Sequence, residues 1–266
     1  MKTVLKGFAL VSLLAMFFCS NASSKTIRVP ADSSTIQKGI NGAVNGDTVL
    51  VSDGTYVENI DFKGKAIRVS SVNGADLTII DGKNSNYTVK FDASETSASM
   101  LRGFTVKGGK NFGIYVGNAE PAIQNCKIVS NLNGVYVLRE NGGDFIKNNS
   151  FEANTDWPVQ LHPGSVDSVV ANNTFVRNVP NHYNAFLIIE GNNSGVITES
   201  TTWPVPPDSF CYLFATDHNV IIQSAPAPVL TLRRGTVVKM LTSTIQVGGN
   251  GTNQYGKLVA RGVTFT

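Results

Sequence analysis

Charge is scarce in this chain. Only 15% of its 266 residues are Asp, Glu, Lys or Arg, against about a quarter in an ordinary soluble domain. That scarcity excludes charge-driven disorder and a long helix laced with Glu–Lys pairs. Cysteine is scarce too, and 3 Cys cannot staple a disulfide scaffold. No basic run occurs and the net charge is only +3, which offers no electrostatic footprint for nucleic acid. His162, His182 and His218 share no ligand spacing and Met is sparse, which argues against copper or zinc, so no cofactor is expected. Beyond the N-terminus no segment carries the long 3.6-residue period of crossover helices, which excludes a doubly wound sheet.

The N-terminus has the layout of a secretory signal. Lys2 and Lys6 form a charged start, Phe8 to Phe18 a short apolar run, and Ser20-Asn21-Ala22 a small-residue cleavage site after Ala22. The run is well short of the roughly 20 apolar residues that span a bilayer. Residues 1–22 are therefore expected to leave an exported, not membrane-spanning, chain in the secreted or cell-envelope space. Their loss takes two lysines and no acid, leaving a net charge of +1.

Abundance lies in Gly, Asn and a repeat. Segments beginning at Leu101, Ile123, Ile146 and Val170 align at offsets of 22, 23 and 24 residues. Each holds an apolar residue, a second one five places later, and a final Gly or Asn. A second alternating strand follows each: Gly113–Val116, Gly134–Val137, Pro158–Leu161 and Ala185–Ile188. Alternation of apolar and polar residues is the period of a strand with one buried face. Two or three short strands per turn of about 23 residues predict coils stacked at about 4.8 Å, an all-β right-handed parallel β-helix, or solenoid. The spacing puts Asn125, Asn148 and Asn172 in one column and Asn131, Asn154 and Asn178 in another, where amides can bond along the stack. Cys126 and Cys211 fall three to four coils apart, about 15–20 Å, so both are expected as free, buried thiols. Phe151 and Phe175 belong to the repeat and are expected in the core, whereas Trp157, Tyr183, Trp203 and Tyr212 form a possible sugar-stacking strip.

A solenoid end needs a cover. Ser34 and Gln37 fit a capping box, and Ile36, Ile40 and Ala43 share one helical face, so residues 34–44 are expected to form a short N-terminal capping helix. Ile27-Arg28-Val29-Pro30, Thr35-Ile36-Gln37, Gly46-Asp47-Thr48-Val49 and Gly54 to Ile60 together resemble the start of pectin-lyase-like right-handed parallel β-helix proteins. That superfamily includes pectin methylesterases, pectate lyases, epimerases and surface proteins without known activity. The resemblance implies the fold and no single reaction. From about Thr201, the run Val229–Lys239 and then Gly256–Thr266 resemble the β-helix module of large bacterial surface proteins. A β-helix over 23–196 is thus expected, with a second module over 197–266 whose open C-terminal edge continues into further coils or is capped by a partner.

The galacturonase, methylesterase and epimerase motifs that the resemblance would supply are missing. The remaining polar constellation is Arg139-Glu140, with His162 one coil on and Glu190 a further coil along. Asp144 and Asp156 lie in adjoining turns. A cation beside acids on a solenoid rim could bind or deprotonate a uronate sugar. Two functions are therefore open. One is a non-catalytic envelope protein presenting a surface to a polysaccharide or a cell-surface protein. The other is a polysaccharide lyase or epimerase working with Ca²⁺ through Arg139 and its neighbours.

Overall fold

The structure, a computed structural model, describes residues 24–138, 140, 146–176, 184–191, 195–207, 209–249, 251 and 254–266. It is a parallel β-solenoid of about 9 turns. One sheet of six strands takes Thr26–Val29, Thr48–Val51, Arg68–Ser71, Met100–Arg102, Ala122–Gln124 and Ile146–Lys147 from successive coils. Its inward column is Ile27, Val49, Val69, Leu101, Ile123 and Ile146, all buried. Each such side chain contributes about 1.5–3 kcal/mol by leaving water. A sheet of thirteen strands runs alongside. Within it Gly113–Val116, Val135, Val159, Phe186 and Tyr212 pair in register, continuing through Val238 to Phe265.

The repeat offsets reappear in the ladders, where Thr105 pairs with Lys127, Lys127 with Ser150 and Ser150 with Thr174. The corners explain the Asn and Gly. Gly103, Asn125 and Asn148 turn the chain at φ of 78°, 53° and 58°, and Gly108, Ser130 and Ala153 do so at the next corner. These are left-handed conformations that Gly and Asn adopt at least cost.

The residue after each corner points inward, which corrects one expected column. Asn125 and Asn148 are exposed turn residues. The ladder belongs instead to their successors: Asn149 Oδ1 accepts from the Cys126 amide at 2.9 Å, and Asn149 Nδ2 donates to Asn173 Oδ1 at 2.9 Å and to the Ile123 carbonyl. The other column is as expected over its described members. Asn131 Nδ2 donates to Asn154 Oδ1 at 3.0 Å and Asn131 Oδ1 accepts from the Gly109 amide at 2.9 Å, while Asn178 lies outside the described residues. Two buried amide ladders thus pin neighbouring coils at the corners, where strand hydrogen bonds stop.

The capping helix spans Ile36–Gly42 over the first coil, with Ile36 and Ile40 fully buried. Its N-cap is Thr35, whose side chain accepts from Lys38, rather than Ser34. The expected capping box does not form because Gln37 is used elsewhere: its side chain exchanges two hydrogen bonds with the Asp61 backbone. Glu58 from the second coil replaces it, accepting from the Ile36 and Gln37 amides at 2.9 Å each. At the other end Lys65 Nζ donates to the carbonyls of Ile40, Asn41 and Ala43. Opposite charges thus meet the two ends of the helix dipole. Asp47 closes the following turn by accepting from the Val44 and Lys25 amides, which hold its carboxyl below the usual carboxylate range.

Candidate functional site

Three of the rim residues singled out by coil arithmetic do come together. His162 and Glu190 follow strand ends in neighbouring coils, with the His162 amide on the Val137 carbonyl and Ile189 on Leu161. Glu140 reaches the same edge, where it lies over Gly164. Their polar atoms serve the loops. Glu140 Oε2 accepts from Thr198 Oγ1 at 2.6 Å, and His162, fully buried, accepts the Gly164 amide on Nδ1 at 3.1 Å. Glu190 Oε1 accepts from Asn219, and its own amide donates to His218 Nδ1. A Cβ at Gly191 would lie 2.8 Å from the His162 ring, so the coil above closes on the imidazole. Asp156 is elsewhere: it precedes the strand Val159–Leu161 that His162 follows, at the opposite end of that strand. Arg139 and Asp144 lie outside the described residues.

The expected stacking strip is also corrected. Trp203 and Tyr212 are fully buried, with ring centroids 4.9 Å apart. Their polar tips are satisfied inside, Trp203 Nε1 on the Pro163 carbonyl at 3.0 Å and the Tyr212 hydroxyl on Pro204 at 2.8 Å. Tyr183 lies outside the described residues. Phe151 and Phe175 stack in the core as expected, 4.8 Å apart.

A different aromatic strip occupies the outer face of the long sheet. Tyr115 and Tyr136 pair in register and stack with centroids 5.4 Å apart and planes 8° from parallel. Phe112 lies 4.8 Å from Tyr136, and Tyr87 5.8 Å from Tyr115. All four rings are only partly buried. Partial burial raises the phenol pKa values of Tyr115 and Tyr136. Lys90 flanks the strip, 5.7 Å from the Tyr87 ring centre and 3.4 Å from Asp92. Gln160, next to Tyr136 in register, donates to Asn133 at 2.9 Å. Beyond it the same face continues through Leu187 and Leu213 into an open groove of about 510 Å³ lined by Trp157, Phe210 and Lys239. Residues 113–116 and 134–137 carried the signal for this strip: alternation with Ile114, Val116, Val135 and Val137 leaves both tyrosines outside.

The sequence model of a family described as "Periplasmic copper-binding protein (NosD)" matches residues 26–202. The chain belongs to the NosD family. That family is periplasmic by description, which is consistent with envelope localisation, and no helix among the described residues is long and apolar enough to cross a membrane. Among solved structures the NosD-family chain is similar to a pectin methylesterase from carrot, at 13% identity, covering 93% of this chain and 89% of that one with a TM-score of 0.36. An alginate lyase from Paenibacillus sp. is similar at 14% identity, covering 90% and 99%, with a TM-score of 0.29. No curated protein matches.

Among the described residues the donor set does not fit the copper of the family's description. Among the described residues no three His, Cys, Asp or Glu side chains gather where they could hold a metal ion. Copper favours soft thiolate, thioether or imidazole donors, and among the described residues the thiols and imidazoles form no group of three. Cys126 and Cys211 are free and buried in different parts of the long solenoid, as expected. His162 and His218 each use Nδ1 to accept a backbone amide. Burial pushes the Cys126 thiol up to about 11, so at neutral pH it is the protonated, weakly ligating form. Two consequences are measurable. At pH 8 Cys126 in a Cys211→Ser background should react with a disulfide reagent about a hundredfold more slowly than in the unfolded chain, since thiolate falls tenfold per unit. Stability should also decline between pH 9 and 11, where only the unfolded thiol ionises. A native rate within tenfold of the unfolded one would contradict this burial.

Proposed function

We propose that this NosD-family protein is exported and binds a polysaccharide along the outer face of its long sheet, without cutting it. The observation that carries the reading is the row of partly exposed rings, Tyr87, Phe112, Tyr115 and Tyr136, bordered by Lys90, Asp92 and Gln160. Rings with apolar faces stack on the C–H faces of sugars, and amide and charged groups beside them take hydroxyl hydrogen bonds. The row follows the solenoid axis. From Lys90 to Lys239 it crosses six coil steps, about 29 Å at 4.8 Å each, which suits an extended chain rather than a small molecule.

The test is glycan retention by affinity electrophoresis in gels containing pectate, alginate or a neutral β-glucan. The Tyr115→Ala/Tyr136→Ala double variant should lose roughly thirtyfold in affinity, as for a central hot spot of about 2 kcal/mol. Retention unchanged in that variant would sink the proposal. So would release of unsaturated product from pectate or alginate with Ca²⁺, abolished by Arg139→Ala, because that result belongs to a lyase.

A further inference from the structure

We propose a second binding site, for an acidic glycan, on the outer face of the six-stranded sheet. It is independent of the aromatic strip, which lies on a different sheet. A groove of about 540 Å³ opens there between Arg68 and Arg102, with Ser70, Ser71, Thr48 and Asn125 among its lining residues. Among the described residues no carboxylate and no aromatic ring lines it.

The two arginines share this face by strand geometry. Arg102 pairs with Ser70 across the ladder, and Arg68 lies two residues before Ser70 on the same strand and the same face. One coil step and two residues place their backbones about 8 Å apart. Both side chains are exposed. Among the described residues the ion pairs involve Arg28, Lys90, Lys107 and Lys127, and neither Arg68 nor Arg102 has an ion-pair partner there. Two like charges this close disfavour each other unless an anion lies between them. Between them the Ser70 hydroxyl is buried without a hydrogen-bond partner, a donor with no acceptor supplied by the protein.

Guanidinium forks are the donors that a carboxylate or sulfate takes, two oxygens at a time. A third cation points to a repeating ligand. Lys147 stands in the Arg102 column two coils further on, about 10 Å away, and also has no ion-pair partner among the described residues. One small anion cannot reach both ends, whereas a chain with regularly spaced oxyanions can. No ring among the described lining residues offers the base stacking by which single-stranded nucleic acid binds, and a DNA duplex is a competitor in the test.

Calorimetric titration at low salt with dextran sulfate, uncharged dextran, inorganic sulfate and a 20-base-pair DNA duplex tests the assignment. Dextran sulfate should bind at least about tenfold more tightly than inorganic sulfate or DNA, weaken with added salt, and have no counterpart with dextran. Arg68→Ala/Arg102→Ala should lose about tenfold or more for dextran sulfate, and Arg68→Lys/Arg102→Lys should recover part of it. Both positions are exposed, so an unchanged circular dichroism spectrum is expected for each variant. Arg68→Ala/Arg102→Ala should keep the parent's retention by a neutral β-glucan, which separates this site from the aromatic face. An equal loss in Lys257→Ala, on a distant coil, would reduce the effect to net charge and overturn the site. Inorganic sulfate or DNA binding as tightly as dextran sulfate would overturn the glycan assignment.

Discussion

Replacing Asn131 by leucine is expected to destabilise the protein by about 3–5 kcal/mol, although the two side chains have the same heavy-atom count and branching. Asn131 is buried, and its amide serves three coils at once. Its Oδ1 accepts from Gly109, and its Nδ2 donates to the Val106 carbonyl and to Asn154 Oδ1. Leucine would leave the Gly109 amide and the Val106 carbonyl facing an apolar group. Each orphaned buried backbone group costs about 1–3 kcal/mol. The contrast is with Asn125, also in the repeat but exposed at a corner with φ of 53°. Asn125→Gly should fall within about 0.5 kcal/mol of the parent, since only the left-handed backbone matters there. Urea unfolding followed by far-ultraviolet circular dichroism reads both. In a solenoid each coil is held mainly by its neighbours, so a break in the middle should also broaden the transition. Equal, small effects at both positions would mean that the ladder does not hold the coils together.

That pair of positions also marks the limit of what the sequence discloses. The offsets of 22, 23 and 24 residues are the actual coil-to-coil registers. The strand alternation located the inward valines and isoleucines correctly. Periodicity could not decide which Asn of Asn148-Asn149 or Asn172-Asn173 points inward, because the two differ by one position at a corner where alternation stops. At Asn148-Asn149 the backbone decides it: Asn148 takes the positive φ, and this turns Asn149 into the core. The Thr35–Gln37 region misled in a related way. A capping box is a local pattern, and the distant Glu58 carboxylate took over the capping role.

On the rim, coil arithmetic was sound for position and silent on bonding. It grouped Glu140, His162 and Glu190 on one edge, where their polar atoms accept from Thr198, Gly164 and Asn219. Those partners sit in a helical insertion and in loops, where no repeat fixes the register. The outer strip of Tyr87, Phe112, Tyr115 and Tyr136 was legible in part. Alternation exposes Tyr115 and Tyr136, but the contact with Phe112 and Tyr87 arises from a register shift between strands Thr78–Phe91 and Thr105–Val116 that no single strand encodes.

Trp203→Ala separates the two readings of an aromatic residue. A surface stacking residue would lose glycan retention and leave stability almost intact. Trp203 should do the reverse, with a loss of about 3–5 kcal/mol, the usual cost of emptying a buried Phe or Trp site. The indole is fully buried against Tyr212 and Phe214, and its Nε1 holds the Pro163 carbonyl. Pro163 starts the short helical insertion Pro163–Ser165 and Val166–Val170 that widens this coil. Deleting the indole removes the core filler and the bond that ties down the insertion. The chain has 2 Trp, so Trp157→Phe leaves Trp203 as the sole indole reporter. Its emission should be blue-shifted in the folded protein and move to the red as this coil opens. Amide exchange over 163–170 should accelerate in Trp203→Ala, while glycan retention per folded molecule stays at the parent level. Reduced retention with an unchanged melting midpoint would put the indole on the binding surface instead of in the core.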